Sequence, residues 1–569
     1  MRIVERKYSP TTALALVKEG LTPLLARVLA ARGIKSRADI TGTLHDLIPY
    51  AELLNARALA EIMADAIVSQ KRMLIVADYD ADGATACTVG MRALTAYGAN
   101  VGFLIPNRLE HGYGLTPEIV DIAAEQVPRP DYIVTVDNGI SSLPGINRAN
   151  ELGIEVLVTD HHLPGETPPA ARIIVNPNQV GCPFPSKSLA GCGVMWYVMW
   201  ALKDVMKERG IPQANPDFKI ASLMPIVSVG TVADVVTLDR NNRILVAEGI
   251  RYIKGGRSFA GINALAKVAK KSPHTLRTSD IGFGIGPHIN AAGRLETMDA
   301  GVECLLTDSP ERAAQLATEL HEINNRRREI EGKIVSEAVE QLLCKVDLDF
   351  YTAVLHADEW HQGVIGVVAS RIKDRVYRPT FVMASGKNGE FKGSGRSIPG
   401  FHLRDALDLV STRNPGLLPK FGGHAMAAGV TVRARGLATF QRAFEEVARE
   451  MLSPSMLNQC LETDGSLEAA EISIETFDAI KEHVWGQNFL EPTFVDEFNV
   501  VSFKKMGVDD AHLKLVLEKG GQKFDAVKFK HEGVDIPPRV RVVYKLDANE
   551  FMGRVRLQLM LDYLEPALG

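Results

Sequence analysis

The stretch Leu74-Ile-Val-Ala-Asp-Tyr-Asp-Ala-Asp-Gly83 decides how the rest of the chain is read. Met73 to Ala77 is an unbroken apolar run, the pattern of a strand buried on both faces of a parallel sheet. From Ala84 to Tyr97 the composition suits a helix, which Gly98 closes. The acidic cluster between them therefore lies on a strand-to-helix turn. In open α/β sheets ligands gather beyond the carboxyl ends of the strands, which places Asp78, Asp80 and Asp82 within reach of a substrate. Carboxylates this close repel one another unless a cation neutralises them. A metal site is the sharper reading and a solvated acidic turn the plainer one, and this stretch alone leaves both open.

Working outward, residues 101–105 read as a second strand, followed by the turn-rich Pro106-Asn-Arg-Leu-Glu-His-Gly-Tyr-Gly114. That loop carries Arg108, His111 and Tyr113, and it suits either a phosphate or an ordinary surface connection. Helix and strand then alternate at 117–126, 132–136, 145–152 and 156–159, as in a parallel sheet. Two of these strands end in Asp137-Asn-Gly139 and Asp160-His-His162. Asp is common at helix caps and turns, so each has a plain explanation alone, but three such strand ends converge on one rim. Residues 191–208 form a strongly apolar helix of the core. Beyond it, Asp234 in Gly230-Thr-Val-Ala-Asp234-Val-Val is an acid inside an apolar run, costly to bury without hydrogen bonds or a metal. Carboxylates with imidazole suit Mn2+ or Mg2+, and a bridging Asp can hold two such ions about 3.5–4 Å apart, the spacing of in-line displacement at phosphorus. No Ser or Cys stands in a nucleophile-elbow setting.

The whole chain bounds this chemistry. Its 569 residues exceed one compact core, so three or four domains are expected. With 46% hydrophobic and 23% charged residues and a net charge of -5, it is neither a disordered chain nor a histone-like basic one. A nucleic-acid surface must then be local. The start carries scattered charges where a signal peptide needs an apolar run, and nothing approaches the roughly 18–20 apolar residues of a membrane span, so the cytoplasm is expected. Six cysteines, Cys87, Cys182, Cys192, Cys304, Cys344 and Cys460, lack any Cys-x-x-Cys pair, against structural zinc and against a disulfide framework. A Walker-type phosphate loop is missing, which disfavours an ATP-driven motor.

The expected organisation is α/β with a helical N-terminal cap at 1–50, a parallel-sheet catalytic domain at 51–309, a connecting helix at 310–346, a second α/β lobe at 347–455 and a barrel at 456–569. The connecting run holds Asn324-Asn-Arg-Arg-Arg-Glu329, whose arginines suit either a DNA backbone or solvent. The last region offers five strand-like runs, at 495–503, 512–518, 524–529, 540–546 and 555–563, with Phe503, Phe529, Lys504, Lys505, Lys514, Lys523 and Lys528 among them. This suits an OB-fold, a barrel that can bind single strands by stacking and charge. Nearby acids almost offset the lysines, so the barrel is better supported than the binding.

Asp78-Tyr-Asp-Ala-Asp-Gly83, Asp137-Asn-Gly139, Asp160-His-His162 and Asp234 resemble, in order, the motif set of the DHH phosphoesterase superfamily. In the second half, Asn290-Ala-Ala-Gly-Arg294, His361-Gln-Gly-Val-Ile-Gly366, Gly393-Ser-Gly-Arg-Ser397 and Phe421-Gly-Gly-His-Ala-Met-Ala-Ala-Gly429 resemble segments of its RecJ family. The resemblance implies a Mn2+- or Mg2+-dependent exonuclease that degrades single-stranded DNA from the 5′ end to mononucleotides in repair and recombination. It implies that Asp80, Asp82, Asp137, His161 and Asp234 hold two ions with Asp137 bridging, and that Asp78 assists. It places His162 at the scissile phosphate and gives Asp160 the role of orienting its neighbours. His424, with Gly422 and Gly423, would grip the scissile end, while Arg294, Ser394 and Arg396 would read the 5′ terminus and Arg108 would contact phosphate. The partners it implies are single-stranded DNA, a single-strand-binding protein and a RecQ-type helicase, with no membrane and a monomeric chain. Two departures stand out. An arginine is expected where His288 stands, which would make a phosphate contact there weaker or pH-dependent, and Gly486-Gln-Asn-Phe-Leu-Glu-Pro492 is a diverged form of a Gly-Asn-Pro-Glu-Pro stretch. The competing readings are a DHH phosphodiesterase for short oligonucleotides or cyclic dinucleotides, which needs no barrel, and a catalytically silent DNA-binding scaffold.

Overall fold

The apolar run at 73–77 forms, with Arg72, the strand Arg72–Ala77, whose alternate side chains enter two different cores. In the computed structural model, which describes residues 1–343, 349–386, 389–507, 511–531, 535–551 and 554–567, it lies inside a five-stranded parallel sheet. The spatial order is Asn100–Leu104, Arg72–Ala77, Tyr132–Val136, Glu155–Thr159, Ile173–Val175. Chain direction across the sheet therefore reverses at Arg72–Ala77 and Tyr132–Val136, the place where such sheets open a ligand crevice. Ala77 pairs with Val136 and Val136 with Thr159. The next residues, Asp78, Asp137 and Asp160, thus leave the sheet in one row.

The following helix, Ala81–Tyr97, starts three residues earlier than expected. The cause is Asp80, whose side chain accepts from the backbone N–H of Asp82 and Gly83 and so caps the first turn. Gly191–Glu208 is the expected core helix, and the helix Met224–Ala233 ends with Asp234 as its C-cap. Ile173–Val175, too short to carry a pattern, completes the sheet.

The N-terminal segment is not all helical. Before its helices Pro10–Lys18 and Pro23–Ala30, the strand Arg2–Glu5 pairs in parallel with Cys460–Thr463. Arg32 donates to both oxygens of Asp464, at 2.6 and 2.9 Å, and Arg6 reaches the same carboxylate at 3.2 Å. Both Arg32 and Asp464 are buried. The start of the chain thus clamps the entrance to the C-terminal barrel.

That barrel is closed, in the order Phe494–Met506, His512–Lys519, Gln522–Phe529, Arg554–Pro566, Arg539–Phe551. All neighbours are antiparallel except Gln522–Phe529 beside Arg554–Pro566. Its strands are longer than the runs read from sequence, since exposed Lys and Glu at barrel rims break the apolar signal while the backbone ladder continues. Between the lobes runs the helix Pro310–Leu343, 34 residues and so about 51 Å long. Cys344 and the rest of the expected helix to 346, with the first residues of the second lobe, lie outside the described residues. The second lobe has a five-stranded sheet in the order Lys420–Gly423, Ala427–Arg433, Glu390–Arg396, Thr380–Ser385, Ala353–Ala357, parallel only in the last pair. Among the described cysteines, Cys87, Cys182, Cys192 and Cys304 are buried thiols and Cys460 is exposed. No helix of the described residues is long and apolar enough to cross a membrane.

Breaking one side of a buried ion pair strands the other charge, at about 3–5 kcal/mol. Asp464→Ala is expected to lower the unfolding transition of the barrel and its N-terminal clamp by that order, and to speed proteolysis near residue 6. Guanidinium titration with limited proteolysis checks this; a transition unmoved by the substitution would show that the clamp carries no stability.

Candidate active site

Seven candidate residues converge beyond the carboxyl ends of the parallel strands. Asp137, His161 and His162 bring ligand atoms within 4.8 Å of one another, and so do Asp82, His161 and Asp234, and Asp78, Asp80 and Asp137. Asp137 and His161 each belong to two of these groups and so link all three. Asp137 Oδ1 lies 3.0 Å from His161 Nε2, yet both atoms are buried and neither has a hydrogen-bond partner. His161 Nε2 is also 3.6 Å from Asp234 and 3.9 Å from Asp82. Buried polar atoms without partners are rare, and two facing each other among carboxylates fit a cation.

The electrostatics agree. Burial first, and then the neighbouring carboxylates, push Asp78, Asp137 and Asp234 well above the usual carboxylate range, and burial raises Asp82. Burial also keeps the His161 imidazole neutral by lowering its pKa, the form in which it can ligate.

The backbone is bent to hold this set. Asp137 has φ of 60° and Val235, beside Asp234, has φ of 63°; for a β-branched residue that is a true outlier, of the kind that collects at active sites. Asp82 accepts from the N–H groups of Gly191 and Cys192 at 2.6 and 3.0 Å, at the start of the helix Gly191–Glu208. A Cβ on Gly191 would stand 2.6 Å from the Asp137 side chain, so only glycine lets this helix close on the site. Asn138 donates to the carbonyls of Val76 and Val136, tying together the two strands where the sheet reverses.

Asp160 works differently from its neighbours. One oxygen accepts from the N–H of His161 and His162 and from His162 Nδ1 at 2.8 Å, and the other accepts from Ile140 N–H. These bonds outweigh its burial and hold its pKa below the ordinary value. Burial disfavours a charge on His162, but the Asp160 bond and charge prevail and bring that ring up to about 9. Tyr113 OH lies 3.3 Å from the His162 ring nitrogens; Tyr79 meets Tyr113 edge-to-face, and the Arg108 guanidinium lies 5.0 Å from the Tyr79 ring.

Where the second lobe meets the catalytic lobe, the opposite charge collects. Arg294 donates to Gly363 O, Arg396 donates to Ser394 Oγ at 3.2 Å, and Gly366 packs against both Ser394 and Arg396. Burial, and then the charges of Arg108, Arg327 and Arg396, bring Arg294 down to about 10. Cations crowded together and buried await an anion. Gly423 has φ of 144°, and a Cβ there would meet Ala427 O at 2.4 Å; next to it, burial and the charge of His162 lower the pKa of His424. Charge couples the two sides, since Arg294 feels Asp80 and Arg108 and His424 feels His162. Asn290 joins them, since its side chain accepts from Ala81 N–H while its helix Gly286–Leu295 carries Arg294.

The comparisons with known proteins follow this geometry. The DHH family N-terminal domain matches residues 72–226, the DHHA1 domain residues 348–450 and the RecJ OB domain residues 463–563. The single-stranded-DNA-specific exonuclease RecJ of Escherichia coli (strain K12) is 43% identical, over 96% of this chain and 96% of its own. The chain belongs to the RecJ family. Its RecJ relative from Haemophilus influenzae is 42% identical over 96% of each chain. The crystal structure of RecJ in complex with Mn2+ from Thermus thermophilus superposes with a TM-score of 0.82 at 28% identity, covering 100% of this chain and 80% of that one.

At His288, where the RecJ pattern has an arginine, both ring nitrogens already have partners inside the fold: Nδ1 lies 2.6 Å from Gly284 O and Nε2 lies 3.0 Å from His321 Nδ1. Sequence reading also passed over Gly191, Cys192, Asn176 and Asn178. The two asparagines hold the carbonyls of His162 and His161, and the turn signal Asn176-Pro-Asn178 was the only clue to them.

Carboxylates whose pKa is raised in the metal-free fold hold protons that an incoming cation must expel. Mn2+ binding is therefore expected to release protons and to weaken as pH falls, by about ten-fold per pH unit for each proton displaced. Titration calorimetry in buffers of different ionisation enthalpy measures both; pH-independent binding without proton release would remove these carboxylates from the ligand set.

Proposed function

We propose that this chain is a metal-dependent exonuclease that degrades single-stranded DNA from its 5′ end and releases 5′-mononucleotides, in DNA repair and recombination. The observation that carries the reading is the pairing, across one cleft, of a buried carboxylate and histidine nest with a buried arginine cluster. The nest fits two divalent cations, Mn2+ or Mg2+, which Asp80, Asp82, Asp137, His161 and Asp234 would hold with Asp78 assisting. Such ions supply a water acidic enough to attack at neutral pH and spread the charge that develops on phosphorus.

The chain's own groups do the rest. Asp160 fixes the His162 ring and keeps it charged, so an imidazolium faces the scissile phosphate and stabilises its extra negative charge. His424, beside Gly422 and Gly423, grips that phosphate from the second lobe. Arg294, Ser394 and Arg396 bind the 5′-terminal phosphate, and Arg108, its guanidinium over the Tyr79 ring, lines the path between the two. A terminal phosphate seated in a closed arginine pocket fixes where cleavage occurs, which makes the enzyme act on ends. The barrel supports long strands as substrate; a phosphodiesterase for short or cyclic nucleotides leaves it without a role.

The same reading extends to a cytoplasmic monomer that works with a single-strand-binding protein and a RecQ-type helicase.

With end-labelled single strands, mononucleotides are expected first from the 5′ end, and Asp80→Ala or Asp137→Ala should abolish turnover while strand binding persists; full turnover in either variant would sink the ligand assignment. Removing one charge-assisted contact costs about 1.5–3 kcal/mol. Arg396→Ala should therefore lose about ten- to hundred-fold in kcat/KM on 5′-phosphorylated strands and much less on 5′-hydroxyl strands. Equal losses on both would place Arg396 elsewhere on the substrate.

A further inference from the structure

The joint between the catalytic lobe and the barrel holds a cavity of about 630 Å³, within the size range of ligand sites. Its floor is apolar, with Val232, Val236, Leu276 and Trp485. At its edge stands Phe283, 84% exposed, between two glycines in the π-helical turn Ile281–Ile285. Such turns concentrate at functional sites, and an aromatic ring this bare invites a flat partner. Val235, 61% exposed and strained, lines the same cavity and directly follows Asp234.

Charge gives the second observation. Five cations, Arg251, Lys254, Arg277, Lys481 and Lys545, line the cavity with two carboxylates, Glu482 and Glu491, and all of the five except Lys254 pair with acids outside the lining, Glu248, Asp547, Asp478 and Asp562. Lys254 makes no ion pair among the described residues. The carboxylate whose charge reaches it, Asp280, is bonded to Lys271 at 2.7 Å. Burial, and then the charges of Lys481 and Arg277, push the Lys254 pKa down, as expected of a cation facing its own kind. The complement of this cavity has a flat apolar group for Phe283 and a negative charge for Lys254.

We propose that this cavity is a grip for single-stranded DNA beyond the catalytic rim, in which an unstacked base packs on Phe283 while Lys254 meets a backbone phosphate. It rests on the exonuclease reading and adds a route. A strand leaving the metal rim at Asp234 crosses Val235 and Phe283 and then meets Lys545 on the barrel strand Arg539–Phe551. An acidic protein segment shares part of the chemistry, but the continuity of the walls with the catalytic rim and the barrel favours the strand.

The test compares the full chain with Phe283→Ala and Lys254→Ala, and with Phe283→Trp and Lys254→Arg as conservative partners. Fluorescent oligodeoxythymidylates of graded length are titrated in EDTA, so that none is consumed. Stacking of one base accounts for roughly a ten-fold change in affinity or more. The alanine variants are expected to bind long strands at least ten-fold more weakly and the shortest oligomers as the unmodified chain does, and Trp and Arg should restore the long-strand affinity. Unchanged long-strand binding in the alanine variants, with the unmodified chain still degrading that strand, overturns this proposal and leaves the exonuclease reading intact. An unmodified chain that degrades no single strand overturns both. Variants that keep the strand but lose an acidic peptide with an apolar end overturn it in favour of a protein occupant.

Discussion

The parallel register of three strands delivers Asp78, Asp137 and Asp160 to one row, and the mutual repulsion of buried carboxylates beside that row is the constraint on which the rest of the structure depends. In a low-dielectric site such repulsion cannot be relieved by solvent, so the surroundings must supply geometry that holds the groups together and charge that lets them stay. Geometry comes from strained or tightly packed backbone: a left-handed Asp137, a left-handed Val235 and a helix start at Gly191 closed onto the site. One carboxylate of the row, Asp160, escapes the conflict by accepting four hydrogen bonds, and in doing so sets the charge and aim of His162.

The opposing arginine cluster has the converse problem and the same kind of solution. Arg327, which adds to the positive field at Arg294, is itself paired with Glu331 at 2.8 Å, and Glu331 also takes Arg371 at 3.0 Å from the helix Ile365–Val376. That buried carboxylate joins the connecting helix to the second lobe just where Gly363 and Gly366 touch the arginine pocket. The two charge imbalances are thus held at a set separation by a rigid helix and one ion cluster. A substrate that is itself a row of negative charges, taken up with cations, resolves both at once.

At the other end, the clamp of Arg2–Glu5 on Cys460–Thr463 and of Arg32 on Asp464 holds the barrel against the catalytic lobe. The apolar joint they enclose is bordered by cations, not sealed by a packed core. A domain boundary that only needed stability would have been filled.

Much of this was legible from residues alone. Unbroken apolar runs marked the parallel strands, because a strand covered on both faces has no polar side to show. The acid and histidine clusters were visible because each follows such a run, and sheet topology sends all strand ends to one edge. The helix Gly191–Glu208 and the five barrel strands were legible for the same reason of periodicity. What the residues could not reveal depends on distance in the chain. Arg2–Glu5 has four residues and no pattern, and its partner begins at Cys460. The bracing of Asp82 by backbone N–H groups leaves no mark in side-chain type. At His288 the residue suggested a pH-dependent phosphate contact, and only packing against His321 showed both ring nitrogens already engaged. Sequence by itself determined which groups stand at the strand ends, since local pattern and parallel topology require no more. Tertiary structure alone decided which of those groups are buried, strained, orphaned or paired, because burial and charge compensation are properties of neighbours that the chain brings from hundreds of residues away.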